Sequence, residues 1–177
     1  MKILIVEDEE LLAETLKQLV ELDPLHEVTA IAHDLESAMA AVATNPPELA
    51  LVDLQLANGT SGFSVAARLH ELGIACLFST GNAPGFPLPD LAIGCLRKPY
   101  EMDDLARALK EAEDILRGRQ KVILRPRLPE QLQLYTGEAE TAPKEEWVPG
   151  VRSRTSIWAR VRKLVRRPSS FRSATAA

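Results

Sequence analysis

Leu49-Ala50-Leu51-Val52-Asp53 is an almost wholly apolar run that ends abruptly in a carboxylate. Asn45-Pro46-Pro47 precedes it, and Leu54 to Ala57 lead into the turn signal Asn58-Gly59. A short apolar run bounded by turn residues reads as a strand buried on both faces, the kind found inside a parallel sheet covered by helices. Ligands of open parallel sheets sit outside the carboxyl ends of the strands, so Asp53 stands where chemistry is done. A lone strand-end Asp is weak evidence, because Asp also caps helices and populates turns.

Other apolar runs repeat the arrangement. Lys2-Ile3-Leu4-Ile5-Val6 ends in Glu7-Asp8, Ile74 to Ser79 ends in Thr80-Gly81, and Leu91 to Leu96 ends in Arg97-Lys98-Pro99. Between these runs, helical spacing appears in residues 9–22, where Leu11, Leu12, Thr15, Leu16, Leu19 and Val20 fall on one face. Residues 26–32 read as a second strand and 35–43 as an Ala-rich helix with Asp34 as its cap. Residues 63–72 read as a helix closed by Gly73, and residues 101–116 as the last helix. Strands alternating with crossovers give right-handed βαβ units and a doubly wound α/β sheet of five parallel strands. Pro84, Pro87 and Pro89 oppose a full helix before the fifth strand, so the fourth helix is expected to be shortened.

These residues resemble the receiver domain of bacterial two-component response regulators over residues 1–118. The most specific pieces are Ile3-Leu4-Ile5-Val6-Glu7-Asp8-Glu9, Leu51-Val52-Asp53 and Leu96-Arg97-Lys98-Pro99-Tyr100. The resemblance implies strand order 2-1-3-4-5 and a phosphoryl group taken by Asp53 from the phosphohistidine of a sensor kinase or phosphotransfer protein. It also implies Mg²⁺ held by Asp8, Asp53 and the Gln55 backbone carbonyl, with Glu7 acting through water. Lys98 would neutralise phosphoryl oxygens, and Thr80 would hydrogen-bond one and report the modification. Mg²⁺ suits such a set, since it takes a few carboxylate oxygens and keeps water and phosphate as its other ligands.

The chain departs from the family pattern in places. Ala57 stands where the family commonly has proline, Gly62 comes one place late, and Cys95 replaces the aromatic expected three residues before the lysine. The expected function is a stand-alone signalling switch or phosphate relay, not an enzyme. The alternative is an unphosphorylated receiver-like scaffold for protein binding. An aspartate-nucleophile phosphatase ranks last, because it needs an acid two residues after Asp53 and Gln55 is there.

Composition fits this reading. The 177 residues, 46% hydrophobic, suffice for one domain and an appendage. No apolar stretch nears the ~20 residues of a membrane span, and acidic charge arrives too early for a secretory signal, which points to the cytoplasm. Cys76 and Cys95 read as buried free thiols. His26, His33 and His70 form no metal-ligand set and read as surface or loop histidines.

The net charge of −4 is unevenly spread. Residues 1–118 carry 8 Lys/Arg against 20 Asp/Glu, whereas residues 151–177 carry 8 basic and no acidic side chains. Residues 119–150 read as a linker, in which Val122-Ile123-Leu124 is a candidate short strand. In the basic tail, residues 155–167 place Ile157, Trp158, Val161, Leu164 and Val165 along one stripe of a short amphipathic helix. Such a helix suits an anionic membrane or an acidic protein surface, while a solvated tail or one folded on the acidic domain are the alternatives. Nothing resembles a helix-turn-helix, so sequence-specific DNA binding is not expected.

Overall fold

The computed structural model describes residues 1–57, 61–119 and 128–135. In chain order the elements are β1 (Lys2–Val6), α1 (Glu10–Glu21), β2 (Glu27–Ala32), α2 (Leu35–Thr44), β3 (Leu49–Val52) and α3 (Gly62–Glu71). Then come β4 (Ala75–Thr80), β5 (Gly94–Arg97), α4 (Met102–Leu116) and β6 (Leu132–Leu134). The sheet runs β2-β1-β3-β4-β5-β6. Its first five strands are parallel in the expected order.

The continuous apolar runs form these strands because both faces are covered. Leu49, Ala50, Leu51 and Val52 of β3 are all buried, as are Ile3 to Val6 of β1. Ile3, Ile5, Leu51, Leu77 and Leu96 pack with Leu16 and Val20 of α1 and with Leu105, Leu109 and Ala112 of α4. Asp34 caps α2 as expected: its Oδ1 accepts the Ser37 N–H at 2.8 Å. Both cysteines are buried and free.

Three expectations need correction. First, the α1 stripe facing the sheet is Ala13, Leu16 and Val20, with Leu19 partly buried. Leu11 is 74% exposed and Leu12 41%, because the buried i, i+3, i+7 stripe is rotated away from them.

Second, the β4–β5 crossover is not a shortened helix; it holds none. Its prolines remove donors and restrict their predecessors, and the chain instead makes a turn in which Leu91 and Ala92 N–H groups share the Leu88 carbonyl. Leu88, Leu91 and Ala92 are buried and provide part of the cover that a helix would give.

Third, the sheet has a sixth strand, inside the stretch expected to be linker. β6 pairs antiparallel with β5, Gly94 facing Leu134. A Cβ on Gly94 would lie 2.6 Å from the Gln133 carbonyl oxygen, so only glycine admits β6 at this distance. Tyr135 follows β6 and is buried. Its ring meets Phe78 edge to face at 6.4 Å, while Phe63 of α3 meets Phe78 at 5.9 Å. β6 thus supplies an aromatic to a sheet face that the crossover leaves without a helix. Val122 to Leu124 and the basic tail, including residues 155–167, lie outside the described residues.

Candidate functional site

The β1–β3 register pairs Val6 with Val52, which sets Glu7 and Asp53 side by side at the carboxyl end of the sheet. The Asp53 N–H bonds the Val6 carbonyl at 2.9 Å, and the Glu7 N–H bonds the Ala32 carbonyl at 2.9 Å. Both side chains are buried, as are Ser79 and Thr80 at the end of β4. Lys98 enters from the end of β5, where its N–H bonds the Thr80 carbonyl at 2.9 Å and its peptide bond to Pro99 is cis. Its Nζ donates to Glu7 Oε2 at 2.6 Å and to Asp53 Oδ2 at 2.8 Å. Arg97, its neighbour, is exposed, as the alternation of side chains along a strand requires.

The carboxylates are held individually. Asp53 Oδ1 accepts the Gln55 N–H at 2.9 Å, which orients the side chain so that Oδ2 meets Lys98. Asp8 Oδ2 accepts the Ala57 N–H at 2.9 Å. A proline at position 57 would lack this donor, so the departure noted in the sequence has a local consequence. A Cβ on Gly62 would stand 1.9 Å from the Asp53 carbonyl oxygen; although one place late, this glycine lets α3 start against the site. Ser61 caps α3, its Oγ accepting the Phe63 N–H at 3.3 Å.

Burial pushes the Glu7 carboxyl above its ordinary value, against the pull of Lys98. Burial alone would lower the Lys98 ammonium, but Asp53 and Glu7 together hold it above its ordinary value. Lys98 is therefore charged at neutral pH, between the two carboxyl groups.

The expected residues Glu7, Asp53 and Lys98 are thus in direct contact. Asp8 lies at the same end but turns to Ala57, and the Thr80 hydroxyl accepts the Asn82 N–H at 3.3 Å. The donors suit Mg²⁺ in kind, being hard carboxylate oxygens at adjoining strand ends. Among the described residues, however, no three His, Cys, Asp or Glu side chains are gathered as a metal-holding group. Lys98 bridges Glu7 and Asp53 directly.

Some participants were not foreseen. Ser79 Oγ and the Tyr100 hydroxyl share a hydrogen bond of 2.9 Å. His33 is an exposed loop histidine, as expected, and its Nδ1 lies 2.8 Å from the Glu7 carbonyl oxygen. His26 also lies in a loop, but its side chain is only 6% exposed. A cavity of about 300 Å³ extends from Glu7 and Lys98 past Leu12, Leu16 and Leu19 to Tyr100. Tyr100 belongs to the motif quoted above, but no spacing rule pairs it with Ser79.

A doubly wound sheet carrying an Asp–Glu–Lys cluster on its strand ends has the architecture of a receiver domain. The response regulator receiver domain model matches residues 3–110, and the chain belongs to that family of two-component signalling proteins. It is 37% identical over 118 residues to the positive alginate biosynthesis regulatory protein of Pseudomonas aeruginosa, covering 63% of this chain and 47% of that one. It is 26% identical over 147 residues to protein-glutamate methylesterase/protein-glutamine glutaminase 2 of Anaeromyxobacter dehalogenans, covering 81% of this chain and 42% of that one. The chain therefore spans less than half the length of either curated relative. Among solved structures, a CheY-like receiver domain protein of Methanospirillum hungatei superposes with a TM-score of 0.60 at 27% identity, covering 67% of this chain and 98% of that one. The receiver domain of a modulated diguanylate cyclase from Desulfovibrio desulfuricans gives 0.58 at 27% identity, with the same coverage. Receiver domains are in general signalling domains and not enzymes. No helix among the described residues is long and apolar enough to cross a membrane.

Proposed function

We propose that this chain takes a phosphoryl group on Asp53 from the phosphohistidine of a sensor kinase or phosphotransfer protein, and acts as a switch or relay. The observation that carries the reading is the Lys98 ammonium held 2.8 Å from a buried, oriented Asp53 carboxylate. An Asp53 oxygen forms the new O–P bond while the donor N–P bond breaks, and the donor imidazole keeps the electron pair. Lys98 then offsets charge on the phosphoryl oxygens. Thr80 supplies a hydroxyl at the neighbouring strand end, where it would bond a phosphoryl oxygen. Asp8, Asp53 and the Gln55 carbonyl, with Glu7 through water, would hold Mg²⁺, which would neutralise charge on the transferred group. The apolar cavity beside Glu7 and Lys98 offers a docking place for the donor protein.

Acetyl phosphate with Mg²⁺, followed by mass spectrometry of the intact chain, tests the reading. One labile phosphoryl group, released by hydroxylamine as an acyl phosphate is, is expected in the unmodified protein and none in Asp53→Asn. A group that persists in that variant, or none in either, would sink it. The second reading, a scaffold that binds protein partners without phosphate, draws on the direct pairing of Lys98 with both carboxylates. Calorimetry showing no Mg²⁺ binding would favour that alternative.

A further inference from the structure

We propose that the hydroxyl pair of Tyr100 and Ser79 is a positioning device that sets where the Lys98 ammonium stands. The inference rests on the phosphoryl-transfer reading but concerns residues outside its machinery. Ser79 and Thr80 are consecutive in β4, and each holds the segment 98–100 at a different point. The Thr80 carbonyl takes the Lys98 N–H at 2.9 Å, and Ser79 Oγ meets the Tyr100 hydroxyl at 2.9 Å. Lys98 therefore has a tether on its own backbone and a second two residues on, where Glu101 and Asp104 begin α4.

A flexible four-carbon stem reaches two carboxylates at once only if its backbone is held in place. Packing alone does not explain the tyrosine. The Tyr100 ring lies against the main core, and a phenylalanine ring would fill the same space. What the hydroxyl adds is the bond to Ser79, whose residue is 2% exposed and so has little water to take Tyr100's place. Burial also pushes the Tyr100 phenol upward, which keeps it a neutral hydroxyl. The pair is thus a specific link between the strand that carries Thr80 and the loop that carries Lys98.

The test uses the full chain and two one-group deletions, Tyr100→Phe and Ser79→Ala. The first readout is the ¹⁵N-edited NMR signal of the Lys98 ammonium, assigned by its loss in Lys98→Ala. The second is the rate of labelling by acetyl phosphate, measured with and without Lys98. Each deletion should shift the ammonium signal and hasten its exchange with water. Labelling should slow on the order of tenfold, a cost in keeping with sub-ångström misplacement. In the Lys98→Ala background, Tyr100→Phe should add nothing. An unmoved ammonium signal in both deletions overturns the proposal, as does an equal slowing in the Lys98→Ala background. If the unmodified chain takes no phosphoryl group, the phosphoryl-transfer reading fails, and the ammonium signal alone decides the positioning.

Discussion

Gly62 begins α3 so close to Asp53 that a Cβ there would lie 1.9 Å from the Asp53 carbonyl oxygen. The obstacle is backbone in β3's continuation, which cannot rotate away as a side chain would. Gly62→Ala should therefore cost on the order of 2–3 kcal/mol by overpacking and displace the loop that carries the acid. Gly81→Ala is the control, because nothing lies within 4 Å of its would-be Cβ. Urea melts of both variants check this. Equal midpoints would mean that α3 shifts freely and that the close approach is not a constraint.

Tyr135 is the aromatic that β6 brings to Phe78, and it also lies beside Cys95. Tyr135→Ala should destabilise by about 3 kcal/mol, the usual scale for losing a buried large side chain. It should also open Cys95 to a thiol reagent such as Ellman's. Cys76, whose thiol burial pushes up to about 12, should remain slow. Mass-spectrometric mapping of the labelled cysteine separates the two outcomes. Labelling of Cys76 first would show that the sheet opens elsewhere.

Glu7 predicts a pH signature. Its folded-state pKa lies above the ordinary 4.5, so the folded protein binds this proton more tightly than the unfolded chain. The stability tied to that proton is fully present below the unfolded value and is lost as pH rises through the folded value. Glu7→Gln mimics the protonated acid. Without added metal, it should melt higher than the unmodified protein at neutral pH, with the gap closing below pH ~4. A lower melting temperature at neutral pH would show that the bond to Lys98 outweighs the burial of the charge.

Much of this architecture was legible before the fold was known. A parallel strand buried on both faces reads as an unbroken apolar run, and the residue where polarity resumes marks its carboxyl end. Glu7 and Asp53 were found that way, whereas Thr80 beside Ser79 and Lys98 beside Arg97 were singled out by the family resemblance. What stayed hidden depends on contacts distant in sequence. The Ala57 N–H reaches Asp8 across 49 positions, and Tyr100 reaches Ser79 across 21. β6 has only three residues, too few to display a period, and its place was marked less by itself than by Gly94 opposite. Along α1, leucines at helical spacing outnumber the places the sheet offers, so periodicity overstated the buried stripe.

Lys98 itself gives the sharpest separation of roles. Its ammonium neutralises Glu7 and Asp53 at 2.6 and 2.8 Å, and for a divalent cation approaching the same carboxylates it is a like charge. Lys98→Met keeps much of the aliphatic stem and removes the charge. Mg²⁺ should then bind more tightly, and a relieved repulsion of only about 1.4 kcal/mol is tenfold in Kd. Labelling by acetyl phosphate should nevertheless fall on the order of a hundredfold, because the group that offsets phosphoryl charge is gone. Arg97→Ala, at the exposed neighbour, should leave both nearly unchanged. Calorimetry with Mg²⁺ and single-turnover labelling measure the two quantities on the same protein. Tighter metal binding with slower labelling would place Lys98 on the phosphoryl group rather than in the metal site. Weaker binding in Lys98→Met would instead make the lysine a support for the carboxylates, and would overturn its assigned role.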